Sequence, residues 1–244
     1  MSNQEFLSPL PEPPTGDPST GVALFDNLAS VYDNWFEEEG KPIFAIEVRA
    51  FHEVLNSLPK PWLEVGVGSG RFAQALGIET GIDPSIKLLE IASRRGIAVF
   101  LGRGEQQIFK AASFGSVFLV VTFCFLDSVP DVLKEVYRVL APAGKIVVGL
   151  VLKDSPWGDF YERKKKQGHR FYKYATFYKF DDVVKLLEEA GFLIDKVVST
   201  LFQKPGKVEQ LELPRKGFFP DAGFVIMVAG KKSKQYGTGS EPLT

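Results

Sequence analysis

Three glycines follow a short apolar run, at Gly66, Gly68 and Gly70 within residues 63–72 (LEVGVGSGRF). Glycine allows positive φ angles and lets a ligand approach backbone N–H groups at the positive end of a helix. A dinucleotide site of the GxGxxG type needs glycine at position 71, where Arg71 stands. The spacing favours a cofactor-binding turn between a strand and a helix. A tight turn without a ligand is the alternative.

An acidic residue follows the next predicted strand, in the run 81–85 (GIDPS). At the carboxyl end of a second parallel strand, Asp83 can accept hydrogen bonds from both hydroxyls of a ribose. It could instead cap the helix predicted to begin at Ser85. The sequence alone leaves ribose binding and helix capping open.

Short β-rich runs alternate with helical periodicity, which is typical of a parallel sheet built from βαβ units. The predicted strands cover about residues 62–66, 78–83, 97–101, 117–123, 145–152, 192–202 and 222–230, and the predicted helices cover about 44–58, 70–76, 85–94, 130–140 and 180–190. The last two strands have no helix between them, which indicates an antiparallel pair at one edge. The predicted fold class is therefore a doubly wound α/β domain. It has a seven-stranded, mostly parallel sheet with an antiparallel edge strand, and helices on both faces.

The domain is predicted to span residues 21–230. An aromatic and basic stretch at about 153–179 predicts an inserted helical cap after the fifth strand, and residues 1–20 and 231–244 have the proline-rich or polar composition of flexible segments.

Lysine and arginine number 29 against 30 aspartate and glutamate, which disfavours a nucleic-acid partner. The single cysteine, Cys124, excludes an internal disulfide and a multi-cysteine metal site and fits a cytoplasmic protein. The longest apolar run, 116–126, falls short of the roughly 18 residues of a membrane span.

Several segments together resemble a known family. The runs LEVGVGSGRF, GIDPS, GRGEQQIF (102–109), SFGSVFLVVTFCFLDSV (113–129) and VLKEVYRVLAPAGKIVV (132–148) match, in order and spacing, the Rossmann-like class I S-adenosylmethionine-dependent methyltransferases. The resemblance covers about residues 22–230 and implies S-adenosylmethionine as the cofactor. No cluster of carboxylates in the sequence suggests a metal site, so no metal is expected.

The resemblance also implies a set of cofactor-binding residues. By position, the glycine loop would hold the methionine moiety, Asp83 the ribose, and the later segments the adenine. The residues so implied are Glu64, Gly66, Gly68, Gly70, Asp83, Pro84, Ser85, Gly104, Glu105, Thr122 and Phe123. Residues 25–36 are similar to an N-terminal helix that folds over the site, with Tyr32 as a candidate lid residue or, alternatively, a packed aromatic.

Two positions depart from the family pattern. Arg103 stands where the family often has an aspartate for the adenine amino group, and Gly115 stands where an aspartate usually follows residue 114. These departures leave open a cofactor-binding regulatory or assembly protein without turnover. A nicotinamide-dependent oxidoreductase is the further alternative, which Arg71 disfavours.

The resemblance implies methyl transfer by in-line displacement, driven mainly by proximity and orientation. Residues 122–125 (TFCF) lack the motif typical of amino-methylating DNA enzymes, so a small molecule is the leading acceptor, with protein or RNA as the alternative. A general base is optional for such a reaction. The chain has two histidines, His52 and His169, and His169 lies within the predicted cap, where the family often binds its acceptors. His169 is the candidate base, with a solvated surface histidine as the alternative. The sequence predicts neither the acceptor nor the oligomeric state.

Overall fold

The computed structural model describes residues 21–232 of the chain. The segments predicted to be flexible, 1–20 and 231–244, lie outside this part, except that Lys231 ends a strand and Lys232 follows it. Among residues 21–232, no helix is long and apolar enough to cross a membrane.

One twisted sheet contains every strand of residues 21–232. The strands are β1 (Trp62–Val65), β2 (Thr80–Asp83), β3 (Ala98–Leu101), β4 (Phe114–Val120), β5 (Leu140–Leu150), β6 (Phe192–Thr200), β7 (Arg215–Lys216) and β8 (Phe224–Lys231). Their order across the sheet is β3-β2-β1-β4-β5-β8-β6-β7. Strands β1 to β5 pair in parallel, whereas β8 is antiparallel to both β5 and β6.

Helices cover both faces of the sheet. They are α1 (Gly21–Asn27), α2 (Ala29–Trp35), α3 (Lys41–Leu55), α4 (Arg71–Leu76), α5 (Ile86–Arg94), α6 (Val129–Val139), α7 (Pro156–Lys166) and α8 (Phe180–Glu189). Helix α7 and a short 3₁₀ helix, Tyr172–Tyr174, form the cap that follows β5. The doubly wound α/β class and the inserted helical cap are confirmed.

Alternate residues along the central strands belong to different cores. Phe118 and Val147 pack on one face of the sheet with residues of α3, α4 and α7. Leu119 and Val148 pack on the other face with residues of α6 and α8. Because these strands are buried on both faces, they read in the sequence as continuous apolar runs. The first face also carries the N-terminal helices, so it is the face on which a ligand can be covered.

The strand count is eight where the sequence predicts seven. The extra strand, β7, has two residues and pairs with the end of β6. It lies in the long loop between β6 and β8, where two residues give no periodic pattern. The single N-terminal helix expected over residues 25–36 is two helices, α1 and α2, separated at Leu28.

Strand β4 ends three residues before its predicted end. Val121 adopts a φ of 55°, a left-handed conformation that β-branched residues rarely take, and its N–H donates to the carbonyl of Gly149 at 2.8 Å. The chain then turns into a 3₁₀ helix, Phe123–Phe125. This turn redirects the side chains that follow β4.

Candidate functional site

The glycine loop joins β1 to α4 at the carboxyl edge of the parallel strands. Gly66 has a φ of 73°, and a Cβ there would lie 2.3 Å from the Thr122 side chain, so only glycine fits. Gly68 has a φ of 53°, and its N–H donates to Asp83 Oδ2 at 2.9 Å. The loop is therefore packed against β4 on one side and tied to the end of β2 on the other.

Asp83 is held by two backbone donors. Its Oδ1 accepts from Ser85 N–H at 2.8 Å, while its Oδ2 accepts from Gly68. Burial raises the pKa of Asp83 to about 6, against the lowering effect of these two hydrogen bonds. Ser85, and not Asp83, caps α5 by accepting from Leu88 N–H. Asp83 therefore does not cap α5. Its carboxylate is held in place at the edge of a cavity.

The first chamber is a cavity of about 390 Å³ between this edge of the sheet and the N-terminal helices. Its position, beyond the carboxyl ends of the strands next to the reversal of strand order, is the usual ligand site of open α/β sheets. Its walls include most of the residues implied by the resemblance: Tyr32, Gly66, Gly68, Asp83, Pro84, Ser85, Gly104, Glu105 and Thr122.

Three implied residues do not line this chamber. Phe123 is fully buried in the core on the face of the sheet covered by α6 and α8, and its ring lies 5.3 Å from that of Tyr178. The turn at Val121 redirects its side chain to that face. Gly70 lets α4 approach α5, since a Cβ there would lie 3.0 Å from Ala92. Glu64 is buried beneath the loop. Burial, and then Asp83, raise the pKa of Glu64 well above its usual value.

A charged cluster fastens the lid helix α2 to the glycine loop. Asp33 accepts from Arg71 Nε at 2.8 Å and Nη2 at 2.9 Å, and its Oδ2 also accepts from Arg95 Nη2 at 2.8 Å. Arg95 in turn donates to the carbonyl of Ser69 within the loop. Against the raising effect of burial, the hydrogen bonds from Arg71 and then Arg95 hold the pKa of Asp33 at about 2. Arg71, which stands where a dinucleotide-binding motif would have its last glycine, therefore anchors α2 to the glycine loop.

The cluster places Tyr32 over the loop. Its Cε1 lies 3.7 Å from the position that a Cβ would occupy on Gly68, and its ring packs edge-on against Phe25 and Phe171. Burial, followed by the charges of Asp83 and Glu64, raises the pKa of the Tyr32 hydroxyl, which therefore stays protonated. Tyr32 is thus a packed aromatic that also lines the first chamber, and its role as a lid stays a prediction.

The two departures from the family pattern have structural reasons. Arg103 forms ion pairs with Asp127 and, at 3.7 Å, with Glu105, so it stabilises the turn at the rim of the first chamber. A Cβ at Gly115 would lie 2.4 Å from the carbonyl oxygen of Pro59. No other residue fits at the start of β4 while that loop passes so close.

A second chamber of about 370 Å³ adjoins the first. The two share Phe25, Tyr32, Val121 and Phe125 as walls. Aromatic side chains from α2, α4 and the cap dominate the second chamber: Trp35, Phe36, Phe72, Tyr161, Phe171, Tyr172 and Phe177. Its size and apolar lining suit a small organic molecule.

Two ionisable side chains of the second chamber are of chemical interest. His169 lies in its wall with its ring 4.7 Å from that of Tyr172, and burial, then Lys164 and Arg170, lower its pKa. Glu47, from α3, is 5% exposed and burial raises its pKa to about 8. Glu47 was not among the residues predicted for the site. The available signal was its spacing, because it stands at a core position of an amphipathic helix, between Ile43 and Phe51.

Comparisons with known proteins agree with this geometry. A family model described as a methyltransferase domain matches residues 63–148. The crystal structure of an S-adenosylmethionine-dependent methyltransferase from Thermotoga maritima, described as a possible histamine N-methyltransferase, is similar, with a TM-score of 0.80 and 35% sequence identity over 86% of this chain and 99% of that chain. The chain belongs to the class I S-adenosylmethionine-dependent methyltransferase family.

Uncharacterized relatives extend the family match. One from Methanocaldococcus jannaschii is 36% identical over 85% of this chain and 98% of its own length. Another, from Mycobacterium tuberculosis, is 36% identical over 89% of this chain and 76% of its own length. The resemblance seen in the sequence is therefore confirmed at the level of the family.

Proposed function

We propose that this methyltransferase binds S-adenosylmethionine in the first chamber and methylates a small molecule held in the second. The observation that carries the proposal is the shared wall of the two chambers, formed by Phe25, Tyr32, Val121 and Phe125. Two adjoining cavities of similar size can hold a donor and an acceptor side by side, with the reacting groups meeting where the cavities meet. The aromatic shared wall keeps water away from that point.

The residues of the first chamber fit the cofactor. The fixed Asp83 carboxylate retains lone pairs for the ribose hydroxyls after accepting from Gly68 and Ser85. The N–H groups of Gly66, Val67, Gly68 and Gly70 donate within the protein, so the glycine loop fits the methionine moiety by allowing close approach to the backbone. Gly104 and Glu105 form the opposite wall, where a base would lie. S-adenosylmethionine supplies an electrophilic sulfonium methyl group, and the protein supplies alignment, which can contribute about 7–11 kcal/mol in well-oriented systems.

An amine is one class of acceptor to screen, since the Thermotoga maritima relative is described as a possible histamine N-methyltransferase. The size of the second chamber supports a small molecule over a macromolecule.

The test is calorimetric titration with S-adenosylmethionine, S-adenosylhomocysteine and NADH. We expect micromolar binding of the first two. Asp83→Asn should weaken their binding about 10- to 100-fold, because a charged acceptor of two hydrogen bonds contributes about 1.5–3 kcal/mol. Mass spectrometry of acceptor mixtures incubated with the cofactor then identifies methylated products.

Asp221→Asn is the matched control, because Asp221 is an exposed residue outside both chambers. It should bind like the unaltered protein. Binding of NADH alone, or equal cofactor affinity in both variants, would contradict the proposed site. Cofactor binding without product from any acceptor would favour a regulatory protein.

A further inference from the structure

The second chamber has a buried end and an open end. Glu47, Phe72, Tyr161 and Phe177 form the buried end, each less than a tenth exposed. Exposed charged residues form the rim: Glu38, Glu39 and Arg170. An acceptor entering from the rim therefore meets aromatic rings first and a single carboxylate at the end.

Glu47 is unpaired in the described part of the chain. Among residues 21–232 it makes no hydrogen bond, and none of the nine salt bridges there involves it. A buried carboxyl is costly unless it is paired. Its side chain faces the second chamber, so the missing partner belongs in that chamber.

We propose, on the basis of the methyl transfer proposed above, that the acceptor is a small primary or secondary amine whose ammonium group pairs with Glu47 and passes a proton to it. The aromatic walls suit the same ligand, because ring faces attract cations. An anionic acceptor would place its charge against the Glu47 carboxyl instead.

The proton transfer prepares the amine for methylation. When the ammonium group binds, Glu47 first releases its own proton to solvent. An N–H bond of the ammonium group then breaks and an O–H bond forms on Glu47, which leaves a nitrogen lone pair free to act as nucleophile. A carboxyl that holds its proton up to about pH 8 is a suitable acceptor for this transfer, since low polarity favours the neutral pair over the ion pair. The methylated amine departs with its own charge, and Glu47 keeps the transferred proton, as in the empty site.

Other ionisable groups that face the second chamber do not replace Glu47. Burial raises the pKa of the hydroxyls of Tyr161 and Tyr172, so both stay protonated. Burial also raises the pKa of Cys124 to about 12. Lys164 is a cation that lies 4.8 Å from the Phe160 ring. Burial, then Lys164 and Arg170, lower the pKa of His169, so its imidazole accepts a proton less readily than the ionised Glu47 carboxyl, whose pKa is raised to about 8.

The experiment measures amine binding separately from catalysis. The protein is saturated with S-adenosylhomocysteine and titrated at pH 7 with histamine, 2-phenylethylamine, tyramine and putrescine, and with 2-phenylethanol as a neutral analogue. Titrations in two buffers of different ionisation enthalpy give the number of protons exchanged. Because the empty site holds a protonated Glu47, we expect at least one amine to bind with release of about one proton. It should bind at least about tenfold more tightly than 2-phenylethanol.

Glu47→Gln should bind that amine at least about tenfold more weakly and release no proton. Glu53→Gln is the matched control, an exposed glutamate on the same helix that should change neither value. Unchanged binding of S-adenosylhomocysteine in Glu47→Gln shows that the variant is folded. If no amine binds better than the neutral analogue, or if Glu47→Gln binds amines with the same affinity and proton release, the proposal is overturned. Absence of S-adenosylhomocysteine binding would instead overturn the proposed function.

Discussion

Replacing Asp33 with asparagine tests whether its charge holds the lid helix on the glycine loop. The ordinary pKa of this carboxyl is 3.8 and its pKa in the protein is about 2, a difference that corresponds to about 2.5 kcal/mol. Solvent at the edge of the cluster screens part of this energy, so we expect asparagine to lose about 1–2 kcal/mol of α2 docking. The N–H groups of α2 should then exchange about 5- to 30-fold faster, as measured by hydrogen–deuterium exchange of peptides covering residues 28–37.

The pH dependence of this effect has a defined sign. Because the pKa of Asp33 is lowered in the folded protein, its stabilising contribution is present above about pH 4 and is lost as pH falls towards 2. The difference in urea-unfolding free energy between the unaltered protein and Asp33→Asn should therefore shrink as pH falls below 4. Asp221→Asn serves as the control. Equal exchange rates in α2 at pH 7, together with parallel pH profiles, would refute the role assigned to the cluster.

Two further predictions concern stability. Glu47→Gln should stabilise the protein by about 1–3 kcal/mol at pH 8 and have little effect at pH 4.5. The reason is that the pKa of Glu47 is raised to about 8, so the stability of the folded state falls as pH rises towards 8. Urea unfolding at pH 4.5 and pH 8 checks this, and a variant that is less stable at pH 8 would contradict it. Gly115→Ala should lower the free energy of unfolding by more than about 2 kcal/mol, since the new methyl group would overlap the Pro59 carbonyl. In Gly168→Ala the new methyl group meets no atom within 4 Å, so the loss should be about 1 kcal/mol from the positive φ alone. Similar melting temperatures for the two variants would show that the loop at Pro59 moves aside.

The sequence predicts the parallel core of the fold because its strands are buried on both faces. Continuous apolar runs, glycine turns and the end of a helix before residue 141 are all local signals. They predict the ends of β1 to β5 to within about five residues, the largest difference being the start of β5 at Leu140 instead of residue 145. The two-residue strand β7 was not predictable, since its only partner is the distant end of β6. The early end of β4 depends on an unfavourable φ at Val121, which no local propensity indicates.

The candidate site was predictable where backbone geometry determines it. Gly66, Gly68 and Asp83 form one unit because a loop, a strand end and their hydrogen bonds are close in the chain topology. Phe123 was misplaced because a turn of one residue changes the face that every later side chain occupies. Asp33 was missed since its two arginine partners are 38 and 62 residues away, so nothing near it in the sequence marks it as an anchor.

Glu47 shows how a violation of a folding rule can indicate a site. The buried face of α3 runs through Ile43, Ile46, Ala50 and Phe51, and glutamate occupies a position within this pattern where an apolar residue would stabilise the protein. Glu47 is the charged residue on this otherwise apolar buried face, and such departures from the expected pattern are typical of functional sites. A helix that only covered the sheet would not keep a carboxyl that weakens the fold as pH rises. A gain of stability together with a loss of amine binding in Glu47→Gln is therefore the combination that a functional carboxyl requires.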